Sequence, residues 1–460
     1  ATCHSEVFRP PFFSENVFAK REATSLLSRT EKVSSTTAPH DRMATVKRNT
    51  TLKKVKFGRT DMTVTQVCAG TMTWGSFNAD ESQAHEQLDK LVIELGVNFI
   101  DTAELYPVAW NYGALTEKWI GNWLTKRTAD GTVDRSKVYI ATKINPGGVG
   151  NEHPTRAKKT HGYDEEICVW SCRKSIERMN CGYIDLYQIH WPSRDGPLMS
   201  TPTFRPADEN GKIKNRPMGW HDRGTQEDFD RTIKSIMKLF ELGLIRHWGV
   251  SNETAFGITM LCNTALRLGC PLPVSCQNDF SILNQTYEAD TWEAAYRFGI
   301  VGLPYGALAG GTLSGKYFDK SHPQYSAKDA AERPLEKCRQ RVSPDFQPRY
   351  GCAQAMAATR ECVELAERWG ITPTELAIAW SIARPCNGNG SVIIGTTTVR
   401  QVEECVGAAL LELPDELMAE VDVIHEKCRN PCMYYTTKEI WKNMPGLPPT
   451  ASEPEPEREQ

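Results

Sequence analysis

The chain has 460 residues, 40% of them hydrophobic and 24% charged, enough apolar content for a large core in one big barrel with extensions or in two domains. A formal net charge of −3 gives no basis for expecting nucleic acid or an anionic membrane as the main partner. No apolar run approaches the ~18 residues of a spanning helix, and the fifteen cysteines, odd in number and scattered through expected strands and helices, read as free thiols of a reducing compartment.

Residues 1–50 carry thirteen Ser or Thr and eight Lys or Arg against five acidic residues, with no apolar segment suited to a secretory signal. Two readings stand: a transit segment for plastid or mitochondrion, or the disordered extension of a cytoplasmic protein with Met43 as an internal start. The body spans 51–430. Residues 431–460, rich in Pro and Glu from Pro445 onward, form a tail too poor in apolar groups to order.

In chain order the body begins with a small hairpin, 53–57 against 63–67, turning at 59–62. Eight short β-branched and aromatic runs follow, ending near Gly70, Asp101, Lys143, His190, Val250, Gln277, Pro304 and Ile394. Helical periods lie between them at 81–95, 165–179, 228–242 and 254–268. This β–α alternation implies parallel strands joined by right-handed crossovers, and eight such units close a (β/α)8 barrel of the α/β class. Helical segments at 372–383 and 414–427 exceed the repeat and are expected outside it. The stretches 145–163, 192–226 and 311–349 are too long for ordinary connections, and each follows the carboxyl end of a strand, where a barrel builds its active site.

Four polar residues stand at or just past successive strand ends: Asp101 and Tyr106 in FIDTAELYP, Lys143 in VYIATK and His190 in YIDLYQIHWP. A phenol titrates near ~10, so Tyr106 is a useful acid only where something favours its phenolate. An ammonium at ~4 Å supplies roughly 4 kcal/mol at an effective dielectric of 20, before desolvation opposes it. Lys143 is that ammonium, Asp101 keeps it charged, and His190 orients a carbonyl oxygen or shares the proton. The set suits general acid catalysis on a carbonyl as a hydride arrives. Taken singly, Asp101 also reads as a helix cap and Tyr106 as a packing residue. Their joint placement favours chemistry.

The segments FIDTAELYP, VYIATK, DLYQIHWP, GVSNETAFG, CQN, GALAGGTLSGKY and IIGTTTVRQVEECVGA resemble the aldo-keto reductases, more narrowly the bacterial Tas-type branch and related potassium-channel β subunits. The likeness runs from about residue 52 to about 430. It implies a tetrad of Asp101, Tyr106, Lys143 and His190, with Tyr106 as the acid, and an NADP(H) cofactor bound without a Rossmann fold. No GxGxxG follows a strand, in keeping with that. The resemblance further assigns Gly70, Thr71, Met72 and Asp101 to the cofactor. Ser251, Asn252 and Gln277 are assigned to its carboxamide, and Tyr305 to stacking on the nicotinamide. Gly306, Leu308, Ala309, Gly311 and Lys316 fall to the pyrophosphate. Gly395, Thr397 and Arg400 fall to the 2′-phosphate, and Gln401 and Glu404 to the adenine. Departures from the family pattern are Thr396–Thr397 for Ala-Ser, Cys405 for Asn and Gly306–Ala307 for Ser-Pro. Beside Tyr106 and His190, Trp191 and Trp220 are expected to line the substrate pocket, Trp220 from the 192–226 loop.

The expected activity is reduction of aldehydes or ketones to alcohols. Its rivals are a sugar or alcohol dehydrogenase working in the oxidising direction and a cofactor-binding regulatory subunit. Small carbonyl compounds are the expected partners, with neither nucleic acid nor membrane, and a homo-oligomer is compatible with the sequence. His425, Cys428 and Cys432 have only loosely metal-like spacing, so no metal is expected.

Overall fold

A computed structural model of the chain describes residues 45–75, 80–107, 115–145, 162–194, 224–318 and 347–434. Its strands are β1 (Lys47–Arg48), β2 (Lys54–Lys56), β3 (Thr63–Thr65), β4 (Val67–Gly70), β5 (Phe99–Asp101), β6 (Tyr139–Ile144), β7 (Ile184–Ile189), β8 (Ile245–Ser251), β9 (Ser275–Gln277), β10 (Val301–Gly302), β11 (Val392–Gly395) and β12 (Leu411–Glu412). Strands β4 to β11 form one parallel sheet in the order β10-β9-β8-β7-β6-β5-β4-β11. The remaining seam is bridged by Ile393 N–H donating to Pro304 O at 2.9 Å and Ser391 N–H to Gly302 O at 3.4 Å. The result is the (β/α)8 barrel the alternation implied.

The outer helices are α1 (Glu81–Leu88), α2 (Leu115–Ala129), α3 (Glu165–Met179), α4 (Gln226–Glu241), α5 (Ala255–Leu268), α6 (Trp292–Arg297), α7 (Ala353–Arg368), α8 (Pro373–Ala383), α9 (Val399–Ala408) and α10 (Asp415–Lys427). Their starts follow capping chemistry. Thr225 and Asp228 form a reciprocal capping box at α4, Thr372 and Glu375 do the same at α8, and Thr254 accepts from Gly257 N–H at α5. Along α4 the buried residues Phe229, Thr232, Ile233, Ile236 and Leu239 recur at three- and four-residue spacing. That stripe faces the sheet, each large apolar side chain contributing about 1.5–3 kcal/mol on burial.

One helix assignment changes. Residues 373–383, expected outside the repeat, pack against α9 and β11 and fill the repeat position ahead of β11. The additional helix is instead α7, which packs against α8 and α10. Helix α8 is buried nearly all round, through Leu376, Ala377, Ile378, Ala379 and Trp380, so its apolar run has no one-sided period to mark its place.

The hairpin β2–β3 pairs Val55 with Val64. Its turn is closed by Thr60, whose Oγ1 donates to Phe57 O at 2.6 Å and accepts from Met62 N–H at 3.1 Å. Phe57, Met62 and Val64 then meet Cys68, Phe99, Ala141, Leu186, Leu303 and Ile393 in one buried cluster, which fills the amino-terminal end of the barrel. Strand β1, at the edge of the expected extension, pairs antiparallel with β12, Arg48 opposite Leu411. The three long stretches expected to be functional fall largely on residues outside the described set, Trp220 among them, as do residues 1–44 and the tail from 435 onward.

Candidate active site

Successive residues of a strand face opposite sides of a sheet, so residues two apart share a face. Phe99, Ala141 and Leu186 belong to the apolar cluster inside the barrel. Two residues further along the same strands stand Asp101, Lys143 and Gln188. These three therefore form the next layer toward the carboxyl end. Space for it comes from Gly249 on β8, where an added Cβ would lie 3.0 Å from Ser275 O and 3.5 Å from Gln188 Cγ.

That layer is fully bonded. Lys143 Nζ donates to Asp101 Oδ2 at 2.6 Å and to Thr102 O at 2.7 Å, and lies 3.4 Å from the Tyr106 hydroxyl. Asp101 Oδ1 accepts from Gln188 Nε2 at 3.0 Å and from Gln277 Nε2 at 2.9 Å. Gln277 Nε2 also reaches Gln188 Oε1 at 3.1 Å. Lys143 is 0% exposed and Asp101 2%. A buried pair of this kind persists only where its leftover donors and acceptors are satisfied, which the backbone carbonyl and the two glutamines achieve.

The electrostatics follow from burial and neighbours. Burial works against the Lys143 ammonium, but Asp101 and then Tyr106 more than offset it, so its pKa stands above the ordinary lysine value. Burial pushes the Tyr106 phenol up while Lys143 pulls it back in part. The net direction is upward, where the sequence alone suggested a lowered phenol: desolvation outweighs the ammonium. Burial first, and Lys143 second, hold His190 well below the usual imidazole range. The resting set is a neutral phenol, a charged lysine and a neutral imidazole.

His190 follows β7, its ring edge-on to Tyr106 with centroids 5.8 Å apart. Its Nδ1 lies 2.7 Å from Asn145 Oδ1. Trp191 packs beside it at 4.6 Å between centroids, and with Met72 covers the small cluster of Ala103, Leu105 and Tyr106. These side chains form an apolar wall next to the phenol.

The GVSN segment runs on from β8. Asn252 sits at φ +54°, donates through Nδ2 to His190 O at 2.9 Å, and accepts at Oδ1 from the Tyr305 hydroxyl at 2.7 Å. Ser251 Oγ donates to Gln277 O at 2.8 Å. An ion pair of Arg194 with Glu253 holds the following residues, with Gly257 leaving room for both side chains. Tyr305 and Gly306 rest on a second buried network. Arg349 Nε donates to Asp279 Oδ2 at 2.8 Å and the Tyr350 hydroxyl to Asp279 Oδ1 at 2.6 Å. A Cβ on Gly306 would come within 2.6 Å of Asp279 Oδ1.

Beyond it Ala309, Gly310 and Gly311 take φ of +48°, +65° and +95°, conformations that glycine adopts freely and alanine does not. Lys316 curls back so that its Nζ lies 2.6 Å from where a Gly311 Cβ would stand. Bare backbone and a cation thus converge, a donor set that fits a diphosphate. Leu308 packs at the edge of the main core.

The expected adenosine end is arranged differently. Gly395 closes β11 with open space around it, and Thr398 caps α9. Thr397 N–H donates to Gln401 Oε1 at 3.0 Å, and Arg400 Nε donates to Glu404 Oε1 at 3.0 Å. These groups are adjacent but bonded to one another. On the neighbouring strand Gly70 pairs with Gly395 and abuts β11, with Ile394 O 2.9 Å from a would-be Cβ, and Thr71 Oγ1 donates to Asp101 O at 3.0 Å.

Sequence reasoning missed Gln188, Asn145 and the Asp279–Arg349–Tyr350 network. Gln188 had a signal: a polar residue in a strand, two before His190 and of the same parity. Asn145, two past Lys143, had the same parity. Arg349 had none, being 70 residues from its partner. Among the described residues no group of three or more His, Cys, Asp and Glu could hold a metal ion, and no helix is long and apolar enough to cross a membrane.

Comparison with known proteins shows the family. The family model described as "Aldo/keto reductase family" matches residues 66–426. "Protein tas" of Escherichia coli is 31% identical over 359 residues, covering 78% of this chain and 93% of that protein. "Uncharacterized oxidoreductase YrpG" of Bacillus subtilis is 27% identical over 366 residues, with 78% and 92% covered. An "Aldo-keto reductase" of Babesia bovis is 28% identical over 267 residues, with 56% and 85% covered. The chain belongs to the aldo/keto reductase family, whose members are oxidoreductases that use a nicotinamide dinucleotide.

Proposed function

We propose that this protein is an NADP(H)-dependent reductase of aldehydes and ketones, with Tyr106 as the general acid. The observation that carries the reading is the buried ammonium of Lys143, 2.6 Å from Asp101 and 3.4 Å from the Tyr106 hydroxyl. The bound nicotinamide supplies the hydride. Tyr106 gives its proton to the carbonyl oxygen as charge develops there, and Lys143 stabilises the phenolate left behind. Asp101 keeps Lys143 charged, and Gln188 and Gln277 hold the Asp101 side chain in place through its Oδ1. Met72, Leu105 and Trp191 exclude water from the apolar side of the substrate.

For the cofactor, Ser251, Asn252 and the Oε1 of Gln277 address the carboxamide, and Tyr305, its hydroxyl anchored on Asn252, presents its ring to the nicotinamide. Gly306 to Gly311 with Lys316 hold the diphosphate. Gly395, Thr397 and Arg400 take the 2′-phosphate, Arg400 being the fork-shaped cation suited to it. Gln401 and Glu404 serve the adenine. Cys68, Cys172, Cys276 and Cys405 are buried free thiols, in keeping with a cytoplasmic protein.

The test is a screen of aldehydes, ketones and sugars with NADPH, and of alcohols with NADP⁺, followed by absorbance of the reduced nicotinamide. Turnover of carbonyl compounds with NADPH supports the assignment. Binding of NADPH without turnover of any carbonyl would replace it with a regulatory role.

A further inference from the structure

We propose that Arg349 is a positioning residue for the cofactor: through Asp279 and Tyr350 it sets the stacking ring of Tyr305 and the diphosphate turn from Gly306 to Gly311 as one unit. The inference rests on the reductase reading for what Tyr305 and the turn hold, and deepens it by assigning Arg349 to act through them.

The three side chains are buried and joined in a closed ring of hydrogen bonds. Asp279 Oδ2 accepts from Arg349 Nε at 2.8 Å and from Asn284 Nδ2 at 3.0 Å, and Oδ1 accepts from the Tyr350 hydroxyl at 2.6 Å. That hydroxyl accepts in turn from Arg349 Nη2 at 2.9 Å. The directions are fixed by chemistry, since a carboxylate only accepts and a guanidinium only donates. Closing the ring takes two nitrogens of one cation held at a set angle, which the guanidinium fork supplies and an ammonium does not.

The ring lies directly under the proposed site. Asp279 is paired in parallel with Tyr305, whose N–H donates to Asn278 O and whose carbonyl accepts from Phe280 N–H, both at 3.0 Å. Burial and then Asp279 raise the Tyr305 phenol, and the Arg349 charge opposes them. Gly306 stands at φ +78°, with its absent Cβ 2.6 Å from Asp279 Oδ1 and 2.8 Å from the Tyr350 hydroxyl. The carboxylate and the phenol thus fill the space of the serine that the family pattern has there. Further along, Thr312 Oγ1 donates to Tyr350 O at 3.2 Å and pins the far end of the turn. Between these two anchors Ala309 is held at φ +48°, a conformation that persists for alanine only where the surroundings enforce it. A turn fixed by the protein's own side chains costs a ligand less to order, so loosening the ring should appear as lost affinity. NADPH and NADH share the nicotinamide and the diphosphate, and both should lose equally.

The test measures dissociation constants of the full chain for NADPH, NADH and 2′,5′-ADP by fluorescence and calorimetric titration. The last carries the adenosine end with neither the nicotinamide nor the second linking phosphate. Arg349→Lys keeps the charge but opens the ring, and should weaken NADPH and NADH alike by roughly tenfold. Affinity for 2′,5′-ADP should stay unchanged, and kcat at saturating NADPH should stay within about twofold, the loss falling on binding and sparing the chemical step. Tyr350→Phe removes a single donor and carries the test if the lysine variant does not fold; it should weaken both dinucleotides severalfold, again sparing 2′,5′-ADP. Unchanged dinucleotide affinity in the folded variants would overturn the assignment. A parallel loss for 2′,5′-ADP would overturn it too, since it marks damage to the whole fold. The expected binding pattern without turnover of any carbonyl would refute the reductase reading and leave this one standing, while failure of the wild-type chain to bind either dinucleotide would refute both.

Discussion

The two ends of the proposed cofactor site are built on opposite plans. Around Asp101 and Lys143 every charge is buried and bonded to inward side chains of β5, β6, β7 and β9, so the geometry is set by the protein's own side chains. Around Arg400 the charges stand half-exposed on α9, and Arg400 and Glu404 pair with each other one helical turn apart. An exposed pair of this kind contributes little, about 0–1 kcal/mol, and opens cheaply. The contrast separates two tasks: the chemistry needs fixed positions, while recognition of a phosphate tolerates cations that exchange one partner for another.

The largest expected effect tests the fixed end. Tyr106→Phe removes the acid without disturbing the lysine pair, so carbonyl turnover should drop by about 10²–10⁴ with NADPH affinity nearly unchanged in a fluorescence titration. Wild-type turnover in the mutant would place the acid elsewhere. Next, Lys143→Met strands the Asp101 carboxylate among amide donors alone, and denaturant unfolding should show a loss of about 3–5 kcal/mol. A loss as small as that for a surface pair would erase the distinction between the two ends. At the adenosine end, Arg400→Ala should weaken NADPH by about 1.5–3 kcal/mol and leave NADH almost untouched. Equal losses for both nucleotides would make Arg400 structural.

The smallest expected effect concerns acid stability. The folded-state pKa of His190 lies well below its ordinary value, so below about pH 6.5 the unfolded chain takes a proton that the folded one refuses. Stability should therefore fall as pH drops through and below that value, by up to ~1.4 kcal/mol per pH unit from this residue. The slope for His190→Gln, measured over the same range, should be shallower by that amount. Identical slopes would mean that His190 protonates freely in the folded protein.

Much of the barrel was readable because its signals are local. Strand ends at Gly70, Asp101 and Gln277, and the helix Glu165–Met179, follow from period and capping within a dozen residues. Asp101, Tyr106, Lys143 and His190 stood out because polar residues at strand ends share one mouth. What escaped was set at long range. The place of α8 depends on which neighbours bury it, and an apolar run reads the same inside or outside the repeat. Arg349 acquires meaning only when the fold carries it to Asp279. Gln277 shows a subtler limit: the family likeness gave it to the cofactor, whereas inward parity also delivers its Nε2 to Asp101.

The seam between β4 and β11 has a consequence for how the protein is made. Val67 pairs with Val392, and Ser391 Oγ donates to Thr65 O across 326 residues. At about 5–20 residues per second, a ribosome needs on the order of 15–65 s after releasing β4 before β11 emerges to cover it. For that interval one edge of the growing sheet offers unpaired N–H and C=O groups to any other strand. Hairpin β2–β3 and strands β5 to β7 are already available to bury Phe57, Met62 and Phe99, so apolar cover comes early and edge cover last. The nascent chain is most exposed to mispairing along β4, and a chaperone that shields extended edges acts there to greatest effect.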